Sequence, residues 1–434
     1  MSTLLGIVIG ILILSVMMIV HELGHFLTGR KLGFKIEEFS VFMGPVLFSW
    51  QRQGIKYNIK LLPIGASVKF AGEFSEDGTQ QDDPGHFYNR PKWARAVVIA
   101  TGPALNLLSG ILAFLIMFSV FGYTIPVIAE VNPETLAYNA GLVPGDRIVQ
   151  IENDVVNTEM DYSYLAMFIG ADSPLTLKVQ AADGTTRSVV LQPVYTERYR
   201  LGINIRMVSG QKGVLIEGVE ADSNNGSPVL LIGDTLLAVN DIAYEDPAFA
   251  DTIEKTAGQP IKVTVIRGGQ TTDLTMTATR YKDALDRGIF FQRQNDFIPA
   301  IGQAVQSSWS IVKLTLRSIG MMFAGTLKAQ DTLSGPVGVV TLINDVVGQE
   351  QTASVKIYQL LFMFALISVS LGFMNLLPIP PLDGNHLLLI VVEAIRGKRL
   401  SEKAQNLIGL MGFALIILLA AAGLIFDVMR LINR

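Results

Sequence analysis

Residues 15–34 read SVMMIVHELGHFLTGRKLGF, and they place two histidines and a glutamate in what is otherwise an apolar helix. An ionisable residue inside a membrane span is costly and marks function by default. His21 and His25 are four residues apart, one helical turn plus about 40°, so their imidazoles point the same way and can share one metal ion. Glu22 sits beside them, where a carboxylate can take a proton from a metal-activated water without being a ligand. The stretch His21-Glu22-Leu23-Gly24-His25 fits the H-E-x-x-H pattern, in a chain with only four histidines in all.

The rest of the chain supplies the membrane. Half of its 434 residues are hydrophobic and 17% are charged, which favours a membrane protein over a soluble enzyme. Spanning about 30 Å of hydrocarbon takes roughly 20 residues, and apolar runs of that length lie near 3–27, 97–122, 356–377 and 405–429. The first has no basic leader or A-x-A cleavage site, and reads as a retained helix. A net charge of −4 gives no footing for nucleic acid, and the lack of cysteine excludes disulfides and thiolate metal sites. Arg30, Lys31, Lys35, Arg90, Lys92 and Arg95 flank the loop between the first two spans, and Arg396, Lys398, Arg399 and Lys403 lie between the last two. Both loops therefore read as cytoplasmic, with the termini and the large insert outside.

Residues 309–326 carry Lys313 and Arg317 on one helical face and Val312, Leu316 and Ile319 on another. This predicts a helix lying in the interface rather than a fifth span. Residues 55–72, with alternating stretches around Pro63-Ile64-Gly65, predict a membrane-associated hairpin or short sheet whose edge could pair with an extended peptide. Residues 124–295 are ordinary soluble sequence, and within them AGLVPGDRIVQIEND (140–154) and SPVLLIGDTLLAVND (227–241) share a Gly-Asp turn followed by alternating aliphatics. Two copies of one β-rich module are expected, and the insert resembles tandem PDZ domains of the bacterial protease type. The expected fold is a polytopic α-helical membrane protein with four transmembrane helices, a β-hairpin or sheet, and two inserted PDZ-like domains. Its expected segments are 1–30, the first helix; 31–95, the loop with the hairpin; 96–122, the second helix; 123–210 and 211–283, the two modules; 284–354, the amphipathic helix and linker; 355–396, the third helix; and 397–434, the fourth.

A hydrolytic zinc takes three protein ligands and a water. His86 lies in a soluble loop with no evident tie to the first helix. Asp383 lies in NLLPIPPLDGNH (375–386), where prolines break the third apolar run. With 309–326 kept out of the membrane, the first and third spans run the same way, so His25 and Asp383 reach the same cytoplasmic-side depth.

HELGH, the TGPALN stretch at 101–106, the LDG at 382–384 and the module pair between them resemble the site-2 protease family over nearly the whole chain. The resemblance implies an intramembrane metalloprotease with zinc held by His21, His25 and Asp383, Glu22 as catalytic base, and Asn375 and Asn106 as candidate substrate-binding residues. It departs from the family where Asn385 and His386 follow LDG, which makes His386 an alternative ligand. It further implies a multi-pass protein of the bacterial inner membrane, embedded in lipid, with its modules on the periplasmic side. The implied partners are single-span substrates already trimmed by another protease, namely anti-sigma factors of an envelope-stress pathway and remnant signal peptides. The other reading is a non-catalytic membrane scaffold with a structural metal. Three evident ligands rather than four argue against it, and the absence of an inverted repeat argues against a transporter.

Overall fold

Four stretches of apolar sequence fold as long helices: α1 (Ser2–Lys31), α2 (Lys92–Phe121), and the helices Ala353–Asn375 and Glu402–Ile432. Each is long and apolar enough to cross a membrane, since even 23 residues at 1.5 Å per residue reach about 34 Å. The chain is a multi-pass membrane protein with β-sheet regions. The computed structural model describes residues 2–72, 83–207, 212–327, 335–348 and 351–432. They form two units: 1–126 with 157–164 and 293–434, and 127–156 with 165–292.

In the first unit, basic Arg30 and Lys31 close the last turn of α1, where the helix dipole favours positive charge. Gly33 then turns the chain at φ +74°. There follow two long antiparallel strands, β1 (Ile36–Arg52) and β2 (Ile55–Phe70), joined at Gln53-Gly54, both at positive φ as the tightest hairpin turns require. Each strand folds on itself, so the ribbon makes four runs. Residues 38–41 pair with 66–69 on one side and with 56–59 on the other, and 48–52 pair with 55–59. The stretch expected to form a hairpin or short sheet, 55–72, contains β2, and its sheet is completed by β1. Its partner, 36–52, went unnoticed because Gly44-Pro45 interrupts the alternation. The far end of the sheet exposes Met43, Val46, Leu47, Phe48, Trp50, Leu61, Leu62 and Ile64. The near end joins a core of Phe26, Phe34, Phe39, Phe70, Val98, Ile99 and Ile390, which draws α1, the sheet, α2 and the helix Asp383–Arg396 together.

The amphipathic helix runs over Phe297–Phe323, twelve residues longer at its start than the sequence suggested. Its buried side, with Ala300, Ala304, Ile311 and Val312, packs on Phe114, Met117 and Phe118 of α2 and on Ala365 and Val369. Lys313, whose charge argued against a span, forms a 2.9 Å ion pair with the fully buried Asp161, which also accepts from the Ser310 hydroxyl at 3.0 Å. A further helix, Pro336–Gly348, occupies part of the expected linker. Gly6 and Gly10 of α1 face its Asn344 and Val340, and Asp427 accepts from the Gly338 N–H at 2.8 Å near its start.

The second unit carries two sheets of the same design. One orders the strands Ile289–Gln294, Tyr123–Val131, Arg147–Ile151, Leu175–Gln180 and Thr186–Leu191; the other orders Ile203–Met207, Val214–Val219, Thr235–Val239, Pro260–Arg267 and Gln270–Thr277. The second is therefore inserted in the chain between the last two strands of the first, and Tyr195–Arg200 pairs antiparallel with Thr279–Ala284 at the neck. The expected boundary at 210/211 lies outside the described residues. The strand just before it already belongs to the second sheet, and the first sheet is completed only by 289–294, beyond the expected end of both modules. A one-dimensional repeat search cannot see a strand supplied from the far side of an insertion.

The repeated Gly-Asp turns have matching chemistry. Asp146 and Asp234 are buried, and each is gripped by an arginine, Arg187 at 2.6 Å and Arg267 at 2.7 Å. Each arginine also donates to a carbonyl of the preceding loop, Gly141 or Val229. The Arg267 guanidinium holds the Asp234 carboxyl below the usual aspartate range. A depressed carboxylate contributes stability above its unfolded pKa of about 3.9, and that contribution is lost as pH falls through the lower folded value. Arg267→Met leaves a buried carboxylate without its partner, so a loss of about 2–3 kcal/mol is expected, given that Arg267 is itself one-third exposed. Acid unfolding of the module should begin at higher pH in the variant. Hydrogen exchange of residues 260–277 against pH checks both; unchanged protection would show the pair to be dispensable.

Candidate metal centre

The site is assembled where α1 and α2 approach closely. A side chain on Gly24 would overlap the Thr101 backbone, and one on Gly102 would overlap the His25 ring, so the glycine of HELGH and the glycine of TGPALN each permit the contact. Small residues let helices in a membrane close to backbone distance. The Thr101 hydroxyl stitches the seam, donating toward the Gly24 carbonyl at 3.1 Å and the Val98 carbonyl at 2.7 Å.

The His25 ring, 7% exposed, has Nδ1 2.9 Å from the Val98 carbonyl. A carbonyl only accepts, so Nδ1 carries the proton and Nε2 presents its lone pair. His21 lies edge-on to it, ring centroids 4.9 Å apart. Asp383 begins the helix Asp383–Arg396. That helix is tied to α2 by the buried Arg95, whose guanidinium reaches both Glu393 oxygens at 2.9 Å. The loop before Asp383 is seated at two glycines: Gly384 lies against the Leu376 and Leu377 carbonyls, and Gly412 against Pro380.

These supports bring three ligating atoms to one point. Asp383 Oδ2 is 3.0 Å from His21 Nε2 and 3.4 Å from His25 Nε2, and the two Nε2 atoms are 3.2 Å apart. Ligands 2.0–2.1 Å from a tetrahedral zinc are separated by roughly 3.3 Å, so the donor set fits that ion. Asp383 Oδ2 is buried and makes no hydrogen bond of good geometry, as suits an oxygen directed at a cation. Among the described residues this is the one group of three or more His, Cys, Asp or Glu side chains so arranged.

Glu22 projects beside the cluster and accepts the Val68 N–H at 3.1 Å. Val68 lies in the outermost run of the sheet, residues 66–69, so the sheet's free edge comes to the carboxylate. Asn106 is fully buried, with its amide nitrogen 3.4 Å from His21 Nδ1. Asn375 ends its helix half-buried, and no side-chain hydrogen bond joins it to the cluster among the described residues. His386 is outside the group of three and lines a small cavity with Arg95, Glu393 and Arg399. His86 lies at Gly72 and 3.7 Å from Asp83, beside the Lys35–Asp83 pair. Reading the sequence missed Val68, Val98 and the Arg95–Glu393 tie. The first two act through backbone atoms, which leave no mark in residue type, and Arg95 and Glu393 are separated by 298 positions.

The model of peptidase family M50 matches residues 9–419. A protein of Vibrio cholerae named as a zinc metalloprotease is 28% identical over 452 residues, covering 97% of this chain and 98% of its own. The regulator of sigma-E protease RseP of Salmonella typhimurium is 29% identical over 449 residues, and that of Escherichia coli K12 is 28% identical over 456; each alignment covers 97% of this chain and 98% of the relative.

Gly102→Ala tests the seam. The added methyl would fall on the His25 ring, so α2 must retreat, and a displaced ligand is expected to weaken zinc binding by about 10–100-fold. Metal content of the purified variant after dialysis against a graded chelator measures this; wild-type retention would show that the seam yields without moving His25.

Proposed function

The chain belongs to peptidase family M50 and is a zinc metalloprotease of the site-2 type, and from that premise we propose that it hydrolyses peptide bonds within transmembrane segments of single-span proteins, with zinc held by His21, His25 and Asp383 and with Glu22 as the base. The single observation that carries this reading is the convergence of the three ligating atoms beside Glu22 at the meeting of membrane helices. When bound, zinc supplies a Lewis acid for the scissile carbonyl and lowers the pKa of water toward about 7. Glu22 takes the proton of the attacking water on its carboxylate and returns it to the leaving amide nitrogen. Val68 steadies that carboxylate through its N–H.

A helical substrate hides its amides in its own hydrogen bonds, and unwinding frees groups that must find partners within the protein. Run 66–69 offers such partners as a strand edge beside Glu22, and the Asn375 side chain is the second candidate. The apolar residues exposed at the far end of the sheet support its lying in the membrane. The substrates are spans already trimmed on the outer side, anti-sigma factors and remnant signal peptides, with a role in envelope stress; the sigma-E regulation in the names of the relatives supports the regulatory part of this reading. The protein sits in the bacterial inner membrane, its site toward the cytoplasm and its two PDZ-like modules in the periplasm. There the modules exclude substrates that still carry bulky outer domains. One observation favours recruitment as well: a cavity of about 700 Å³ in the second module, between strand Ile203–Met207 and helix Phe249–Lys255, lies along a free strand edge of the kind that takes an extended peptide.

Two measurements test the reading. Purified protein should cleave a trimmed single-span substrate, and Glu22→Gln should lower the rate by about 10³-fold with full zinc content. Zinc retention together with undiminished cleavage removes Glu22 from the chemistry, and zinc retention without cleavage by the wild type favours the scaffold. Val68→Pro deletes the edge N–H that steadies Glu22 and should cut cleavage by about tenfold while the zinc stays. Loss of zinc in that variant would show that the strand supports the metal site rather than the base.

A further inference from the structure

We propose that Asn106 is the positioning residue for His21: its side-chain oxygen accepts the Nδ1 proton of His21 and thereby turns the Nε2 lone pair toward Asp383 and His25. This rests on reading those three residues as the zinc site.

The argument starts from the chemistry of imidazole. A neutral ring that ligates through Nε2 must carry its proton on Nδ1, and that proton needs an acceptor if it is buried. His25 has the Val98 carbonyl. His21 has Asn106, whose amide nitrogen is 3.4 Å from His21 Nδ1, a separation beyond the usual range for a good hydrogen bond. The amide oxygen of the same side chain is buried and has no partner. A half-turn of the amide exchanges the two ends. It brings the unpartnered oxygen to the ring, where it can accept the Nδ1 proton. Asn106 is 0% exposed, which argues for a partner inside the protein rather than a passing substrate.

The rest of α2 is arranged to hold this residue still. The Ser109 and Ser368 hydroxyls both donate to the Asn106 carbonyl at 2.9 Å, and the two hydroxyls are 2.7 Å apart. Gly110 and Gly372 bring α2 against the helix Ala353–Asn375 around them, where a side chain on Gly372 would overlap the Pro103 carbonyl. Backbone and side chain are thus separable. The serines set where Asn106 stands, and its own oxygen sets which way His21 faces.

The test is zinc affinity of the full-length purified protein, read by competition with a chelator, alongside the visible spectrum of the cobalt-substituted protein. Asn106→Leu, nearly the same shape without an acceptor, should raise the zinc Kd about 10–100-fold and shift the cobalt bands. Asn106→Asp restores an acceptor and should bind zinc within about threefold of wild type. Leu108→Ala, on the exposed side of α2, should leave both readouts unchanged. Wild-type affinity in Asn106→Leu overturns the proposal, and so does Asn106→Asp binding as weakly as Asn106→Leu, because a packing role would not distinguish Leu from Asp in that way. Zinc retained at one equivalent in His25→Ala overturns the metal-site reading itself, and the proposal with it, whatever the Asn106 variants do.

Discussion

The contact on which the rest of the structure depends is the seam between α1 and α2, where Gly24 meets the Thr101 backbone and Gly102 meets the His25 ring. Lipid tails are as apolar as leucine, so two helices in a bilayer gain little from hydrophobic burial against each other and are held by close packing and hydrogen bonds. Here both operate at one level of the helices. The glycines allow the approach, Thr101 bonds across it, and the carbonyl of Val98 orients His25. The seam also carries the support of Asp383, because Arg95, two turns before Gly102, grips Glu393 on the helix that Asp383 begins. A charged pair so little exposed, 3% and 12%, is costly to break once formed, so the position of Asp383 relative to α2 is strongly determined.

A second constraint acts on the helix Phe297–Phe323. Its Lys313 meets Asp161 and its Ser310 meets both Asp161 and Thr158, so a short stretch of the insert is locked onto a helix that itself packs on α2. Asp161 accepts from the Asn157 and Thr158 N–H groups as well, which leaves that stretch little freedom to move independently. The two sheets of the second unit reach stability by repeating one device, a buried aspartate at a Gly-Asp turn with an arginine on a later strand.

What was legible in the sequence follows the reach of each signal. The four long helices were found within a few residues, because a run of apolar residues is a local property that the bilayer thickness converts directly into length. HELGH was legible as a cluster for the same reason, as both histidines and the carboxylate lie within five residues of one helix. Asp383 was reached through the prolines around it and through the direction of the spans. The sheet was half legible. Residues 55–70 alternate clearly, whereas 36–52 are broken by Gly44-Pro45, and a strand that folds back at positive-φ glycines does not announce one continuous period. The helix Pro336–Gly348 was invisible as a separate element, being too short for a span and attached through Gly6, Gly10 and Asp427. The nesting of one module in the other was missed because it depends on strand 289–294 returning to pair with 123–131, a relation with no periodicity to detect.

Residue type alone left the role of Asn106 open. A polar side chain near a catalytic motif reads either as a group for the substrate or as an interhelical hydrogen-bonding residue, and of Asn375 and Asn106 the latter was the weaker candidate for the substrate. Burial separates them: Asn375 stays half-exposed at a helix end, while Asn106 is sealed between α1 and the helix Ala353–Asn375, its amide nitrogen beside a histidine and its oxygen unpaired. An unpaired buried oxygen costs about 1–3 kcal/mol, so a chain that keeps one in a tightly packed helical seam must recover that energy from another state of the same group. With the amide turned by a half-rotation, the oxygen faces His21 Nδ1, whose proton it can accept. On the proposed reading, the cost is recovered when His21 turns its Nε2 to a metal ion, which couples the packing of α2 to the formation of the site that α1 carries.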